Sequence, residues 1–155
     1  MTIPGYDYTR PDFAELLLRK FYPERTDRES GVIRDYLLQH IDEYDQISFS
    51  VRIGQGLTPD PSHLEGIQRN TARFTRKRID VVGYAGTQAT LIEAKDRVTP
   101  AVLGQLQSDR HLWLEEHHGE PDPALIAIGR SSDPDTLRVL NAAGVTVYLY
   151  PLTQG

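Results

Sequence analysis

The stretch RIDVVGYAGTQATLIEAK, residues 78–95, decides the fold. Val81, Val82 and Tyr84 lead into Ala85-Gly86, and Leu91-Ile92 lead out again. Apolar, β-branched and aromatic residues on both sides of a glycine turn predict a β-hairpin. Side chains alternate faces along a strand. With an even number of turn residues, positions 80, 91, 93 and 95 share one face. Asp80, Glu93 and Lys95 then converge at one end of the hairpin. Two like charges about 4 Å apart repel by roughly 1 kcal/mol in water and about 4 kcal/mol at an intermediate dielectric. A sheet that only has to be stable has no reason to carry that cost, and a divalent cation between the carboxylates would remove it. Mg²⁺ suits such a place, being a hard ion held by one or two carboxylates together with waters and phosphate oxygens.

Asp80, twelve intervening residues and then Glu93-Ala94-Lys95 resemble the PD-(D/E)xK nuclease motif. The superfamily includes many restriction endonucleases, archaeal Holliday junction resolvases and RecB-type nuclease domains. Ile79 stands where a proline usually precedes the first aspartate. The resemblance implies an α/β, restriction-endonuclease-like three-layer core. In it a mixed five-stranded sheet is flanked by helices in the order ααβββαβαβ. It implies that Asp80, Glu93 and the Ala94 carbonyl hold Mg²⁺ or Mn²⁺, that Lys95 orients the attacking water, and that DNA is cut to 5′-phosphate and 3′-hydroxyl ends. In the superfamily an acidic residue on the early helix often faces the metal, which makes Glu29 a candidate third carboxylate. Thr26-Asp27-Arg28-Glu29 equally fits a capping box, in which Glu29 bonds back to the helix start; both readings stand. Gln105-Leu106 matches the first half of a Gln-Leu-x-x-Tyr motif whose glutamine points at the active site. The tyrosine position is Asp109, a departure from the RecB-type pattern.

The chain has 155 residues, 39% of them hydrophobic, enough for one domain with a core of its own. It has no cysteine, so disulfide frameworks and thiolate metal sites are excluded. No signal peptide or membrane-spanning run is evident, and the expectation is a soluble cytoplasmic protein. The net charge of −5 argues against binding nucleic acid by bulk charge. Distribution matters more than the sum. Arg69, Arg73, Arg76, Lys77 and Arg78 cluster without an acid and run directly into Asp80. The cluster is a candidate DNA-phosphate stripe; it also fits an edge strand whose basic residues discourage pairing between sheets.

Outward from the hairpin, residues 1–25 form an irregular arm and an extra helix over 12–22, which Pro23 ends. Residues 26–151 form the nuclease-like domain and 152–155 a tail. Thr26 to His40 is a helix with Val32, Ile33, Tyr36 and Leu37 on its apolar stripe. Gln46 to Ile53 alternates as a strand. Gly54 to Asn70 carries Pro59 and Pro61 and reads as a long binding loop. Beyond the hairpin, Thr99 caps a helix with Pro100 at its first turn, reaching His118. Ala124 to Ile128 is a doubly buried strand. A helix from Asp133-Pro134 and a strand from Val145 to Tyr150 then close a parallel, right-handed unit. His111, His117 and His118 lack the convergent partners a zinc site needs.

The expected activity is metal-dependent phosphodiester hydrolysis, endonucleolytic rather than exonucleolytic. No DNA-reading module is attached, so specificity falls to the long loop, a homodimer or a protein partner. Two other classes remain open: a nuclease-like fold that binds nucleic acid or protein without cutting, and a structural subunit. The bland reading of Asp80, Glu93 and Lys95 is a surface cluster of ion pairs worth about 0–1 kcal/mol each.

Overall fold

In the computed structural model, which describes residues 6–153, the hairpin lies at the centre of a six-stranded sheet in the order β1-β2-β3-β4-β5-β6. The strands are β1 (Asp7–Thr9), β2 (Gln46–Ile53), β3 (Lys77–Ala85), β4 (Gln88–Ala94), β5 (Ala124–Gly129) and β6 (Val145–Leu149). The first four pair antiparallel; β5 and β6 add in parallel. The helices are α1 (Phe13–Leu18), α2 (Asp27–His40), α3 (Glu65–Thr75), α4 (Ala101–Glu116) and α5 (Pro134–Ala142).

The hairpin has the geometry its sequence predicts. Ala85 pairs with Gln88, leaving a two-residue turn at Gly86-Thr87, and Gly86 takes φ +62°. That left-handed conformation is open to glycine at no steric cost. The register continues through Val82–Leu91 and Val81–Ile92. One step further sets Asp80 opposite Glu93.

The sheet separates two apolar layers. One contains Leu16 of α1, Val32, Ile33, Tyr36 and Leu37 of α2, and Ile92 and Ala94 of β4. The other contains Val102, Leu106 and Trp113 of α4, Leu140 of α5, and Ala89 and Leu91 of β4. β4 and β5 are buried from both sides, which explains their near-continuous apolar runs. In β2 the alternation reverses part-way. Ile47 and Phe49 face the α2 layer, whereas Ile53 and, less deeply, Val51 face the α4 layer. The reversal falls at Ser50, which has φ +50°. On β3, Val81 belongs to the first layer and Ile79 to the second, so the change falls at Asp80, the residue facing Ser50 in this register. Its hydroxyl donates to the Pro23 carbonyl at 2.8 Å, which ties the kink to the chain entering α2.

Several expectations need correction. The sheet has six strands, not five, and the order is βααβαββαβαβ. The supposed irregular arm contains β1, a three-residue strand that extends the edge of β2. The long loop ends at residue 64, and α3 occupies the rest of it and most of the basic segment. α1 is preceded by a 3-10 turn over Arg10–Asp12 and stops at Leu18, well short of Pro23. α4 starts at Ala101, with Pro100 at the cap position and no side-chain cap, so Thr99 does not cap it. No helix among the described residues is long and apolar enough to cross a membrane.

Candidate metal and phosphate site

Asp80 and Glu93 face each other across β3 and β4, each 4% exposed. Asp80 is fixed at both oxygens. Oδ2 accepts the Ala94 N–H at 2.8 Å, and Oδ1 takes the Arg25 guanidinium. Arg25, whose side chain is 7% exposed, also reaches Glu29 Oε2 at 3.2 Å. From the opposite layer α4 sends in Asp109, 4% exposed and within hydrogen-bonding reach of Glu93. Its Oδ2 and the Arg25 Nε are buried with no hydrogen-bond partner.

Burial pushes the Glu93 carboxyl far above the usual glutamate range, and the charge of Asp80 and the hydrogen bond to Asp109 push the same way. Asp109 is also raised, by burial first; Glu93 and the Lys77 ammonium pull it partly back. Glu93 therefore holds a proton at neutral pH, because it is enclosed beside Asp80 and Asp109 while the Arg25 guanidinium lies on Asp80. An enclosed acid pair of this kind detracts from stability.

The structure brings together some of the expected residues and not others. Asp80 and Glu93 converge. Lys95 follows β4 half-buried, its backbone N–H on the Ile128 carbonyl at 2.9 Å, and its ammonium makes no ion pair with either acid. Glu29 forms the capping box: its N–H donates to Thr26 Oγ1 at 3.1 Å, and its Oε1 accepts from the Thr26 hydroxyl at 2.8 Å. Its link to the acids runs through Arg25 alone. Gln105 is exposed on α4 and bonds to none of these groups. Asp109 lies one turn further on, in the buried stripe Val102-Leu106-Asp109-Trp113, and is the side chain that α4 directs at Glu93.

The basic stripe is divided between α3 and β3. Arg69 lies on α3 beside Glu65, Arg76 caps the end of α3, and Lys77 and Arg78 begin β3. Arg76 is engaged by the Gly54 carbonyl at 2.7 Å and by Glu116, and Arg78 by Glu24 at 2.7 Å. Lys77 and Arg69 are exposed; the Arg73 side chain lies outside the described residues. His117 stacks on Trp113 at 3.7 Å and His111 pairs with Glu115, neither arrangement being a metal site.

Among the described residues no group of three or more histidine, aspartate or glutamate side chains is arranged to hold a metal ion. Two carboxylates are nonetheless a sufficient protein contribution for Mg²⁺, which keeps several waters. Asp80, Glu93 and the unpartnered Asp109 oxygen supply hard oxygen donors, and a cationic group, Arg25, already sits on Asp80. The donor set fits Mg²⁺ or Mn²⁺.

No protein-family model matches the sequence, and no curated protein matches it. Solved structures with a partial likeness to this one include two. One is an EndoMS–dsDNA2 complex, with a TM-score of 0.47 and 13% identity over 88% of this chain and 50% of that one. The other is a repair endonuclease from Pyrococcus abyssi, with a TM-score of 0.47 and 15% identity over 84% of this chain and 49% of that one. The chain thus spans about half the length of each. At this level of overlap the functional reading stands on the site's own geometry.

Proposed function

We propose that this protein is a Mg²⁺- or Mn²⁺-dependent nuclease that hydrolyses phosphodiester bonds in DNA, leaving 5′-phosphate and 3′-hydroxyl ends. The observation that carries the reading is the buried cross-strand pair Asp80–Glu93, with the Ala94 N–H fixing one oxygen of Asp80. Two acids enclosed at one row of a sheet, with one of them driven to hold a proton, make sense as the donors of a cation site.

Asp80, Glu93 and the Ala94 carbonyl would hold the metal. When bound, the ion supplies charge to polarise a phosphoryl oxygen and to lower the pKa of a water. Lys95, the adjacent compact cation on a flexible stem, orients that water and offsets charge developing on the phosphate. Lys77 and Arg69, exposed on the side where α3 runs into β3, receive flanking DNA phosphates. Cutting both strands of a duplex calls for two such sites, so a homodimer accompanies the endonuclease reading. A protein partner would serve for target choice.

The test is cleavage of plasmid, single-stranded and branched DNA with either metal. Asp80→Asn and Lys95→Ala should each lower turnover by about a hundredfold or more, the scale of removing one electrostatic contact to the reacting group. Circular dichroism should show both variants folded. Wild-type rates in both would refute the assignment.

A second reading has one observation in its favour. Arg25 already neutralises Asp80, as it would in a protein that binds nucleic acid without cutting. Titration of Mn²⁺ by calorimetry separates the two: a non-cleaving binder takes up no metal at this site.

A further inference from the structure

We propose that Arg25 is a built-in counter-cation that competes with the metal for Asp80 and so sets the metal concentration at which the site loads. This inference rests on the metal-binding reading above. The Arg25 guanidinium sits on Asp80 Oδ1, while Oδ2 is committed to the Ala94 N–H. A divalent ion that takes Oδ1 must displace it, because two cations on one carboxylate oxygen repel.

The surroundings of Arg25 suit a side chain that moves while its backbone stays. Its N–H donates to the Tyr22 carbonyl at 3.1 Å, closing a tight turn. Glu24 within that turn has φ +59°, a conformation rare outside glycine and asparagine. The turn is pinned to the sheet on two sides: Glu24 is gripped by Arg52 at 3.1 Å and by Arg78 at 2.7 Å, and the Pro23 carbonyl accepts from Ser50. Arg25 is thereby delivered to the row of Asp80. Its hold there is incomplete, since its buried Nε has no acceptor. A second resting place is already in contact, Glu29 Oε2, at 3.2 Å. On displacement the guanidinium can move wholly onto Glu29 without leaving the protein. The capping glutamate thus gains a second task, and the enclosed acids are never left without a positive partner.

The experiment is calorimetric titration of Mn²⁺ into the DNA-free protein, paired with thermal melts with and without the metal. Arg25→Gln keeps hydrogen-bonding capacity and removes the charge; Arg25→Ala removes both. Each should bind Mn²⁺ about tenfold tighter or more than wild type, one decade being the scale of a single modest charge contact. Each should also melt lower without metal and show a larger metal-induced rise. Glu29→Gln, which keeps the capping contacts and removes the alternative partner, should shift binding the other way, to weaker. If wild type binds and the Arg25 variants bind equally or more weakly, the competition is refuted while the nuclease reading stands. If Glu29→Gln leaves affinity unchanged, its part as the alternative partner is refuted. If neither wild type nor any variant takes up Mn²⁺, both inferences fall.

Discussion

Glu93→Gln tests the electrostatics of the site before any metal or DNA is added. Glu93 is 4% exposed, and burial, Asp80 and Asp109 all raise its pKa. The folded protein therefore keeps a proton that the unfolded chain releases as pH rises past the usual glutamate value of about 4.3. Folding then takes up one proton, and stability falls with rising pH by about 1.4 kcal/mol per unit while that difference lasts. Between about pH 5 and pH 8 the loss from this one group is about 4 kcal/mol, a large part of an ordinary domain's margin. Asp109, raised mainly by burial, steepens the fall. Glutamine has the shape of the protonated acid and can donate to both aspartates, so the variant lacks the Glu93 contribution. Urea denaturation of both proteins at half-unit pH steps should give nearly equal stabilities near pH 5. The variant should lead by a few kcal/mol near pH 8. Parallel curves would refute the claim that Glu93 is enclosed and protonated.

Three further outcomes are expected. Gly83→Ala would place a Cβ 2.5 Å from a ring carbon of Tyr44, which is itself held by a 2.5 Å hydroxyl contact with Tyr36. The overpacking should cost about 1–3 kcal/mol, seen as a lower melting temperature. Thr26→Ala removes the α2 cap and should cost about 1 kcal/mol in a denaturant titration. Gly129→Ala would bring a Cβ to 2.7 Å from Val98 and 3.0 Å from the Lys95 carbonyl. Under the proposed nuclease function, it should lower kcat on DNA through the displaced Lys95 while leaving KM nearly unchanged.

The parts of this molecule that were legible in its sequence are those where local chemistry and tertiary packing agree. The hairpin, β2, the body of α2 and its capping box follow from alternation, helical spacing and turn residues. β1 was not legible because three residues, two of them polar, carry too little periodicity, and it exists by pairing with β2. α3 was hidden behind the prolines and glycines that precede it, and Leu64 and Ile67, which would mark its apolar face, remain exposed. Within the site, Asp80 and Glu93 could be paired from strand arithmetic. Arg25 could not, since it sits in a turn 55 positions from its partner with no periodic signal. Asp109 did leave a trace: it is the one acid in a stripe at helical spacing whose other members are apolar. Compared with a tyrosine motif it counted as a mismatch, whereas its place on the buried face of α4 was the informative fact.

The reversal of facing at Ser50 and Asp80 has a mechanical consequence. The two acids lie on the seam where the sheet's side chains change allegiance from the α2 layer to the α4 layer. Their spacing is set by backbone pairing between β3 and β4, while the groups that guard them, Arg25 and Asp109, come one from each flank. Spacing and electrostatic surroundings are thus carried by separate parts of the chain: the β3–β4 ladder fixes the one, and Arg25 and Asp109 set the other.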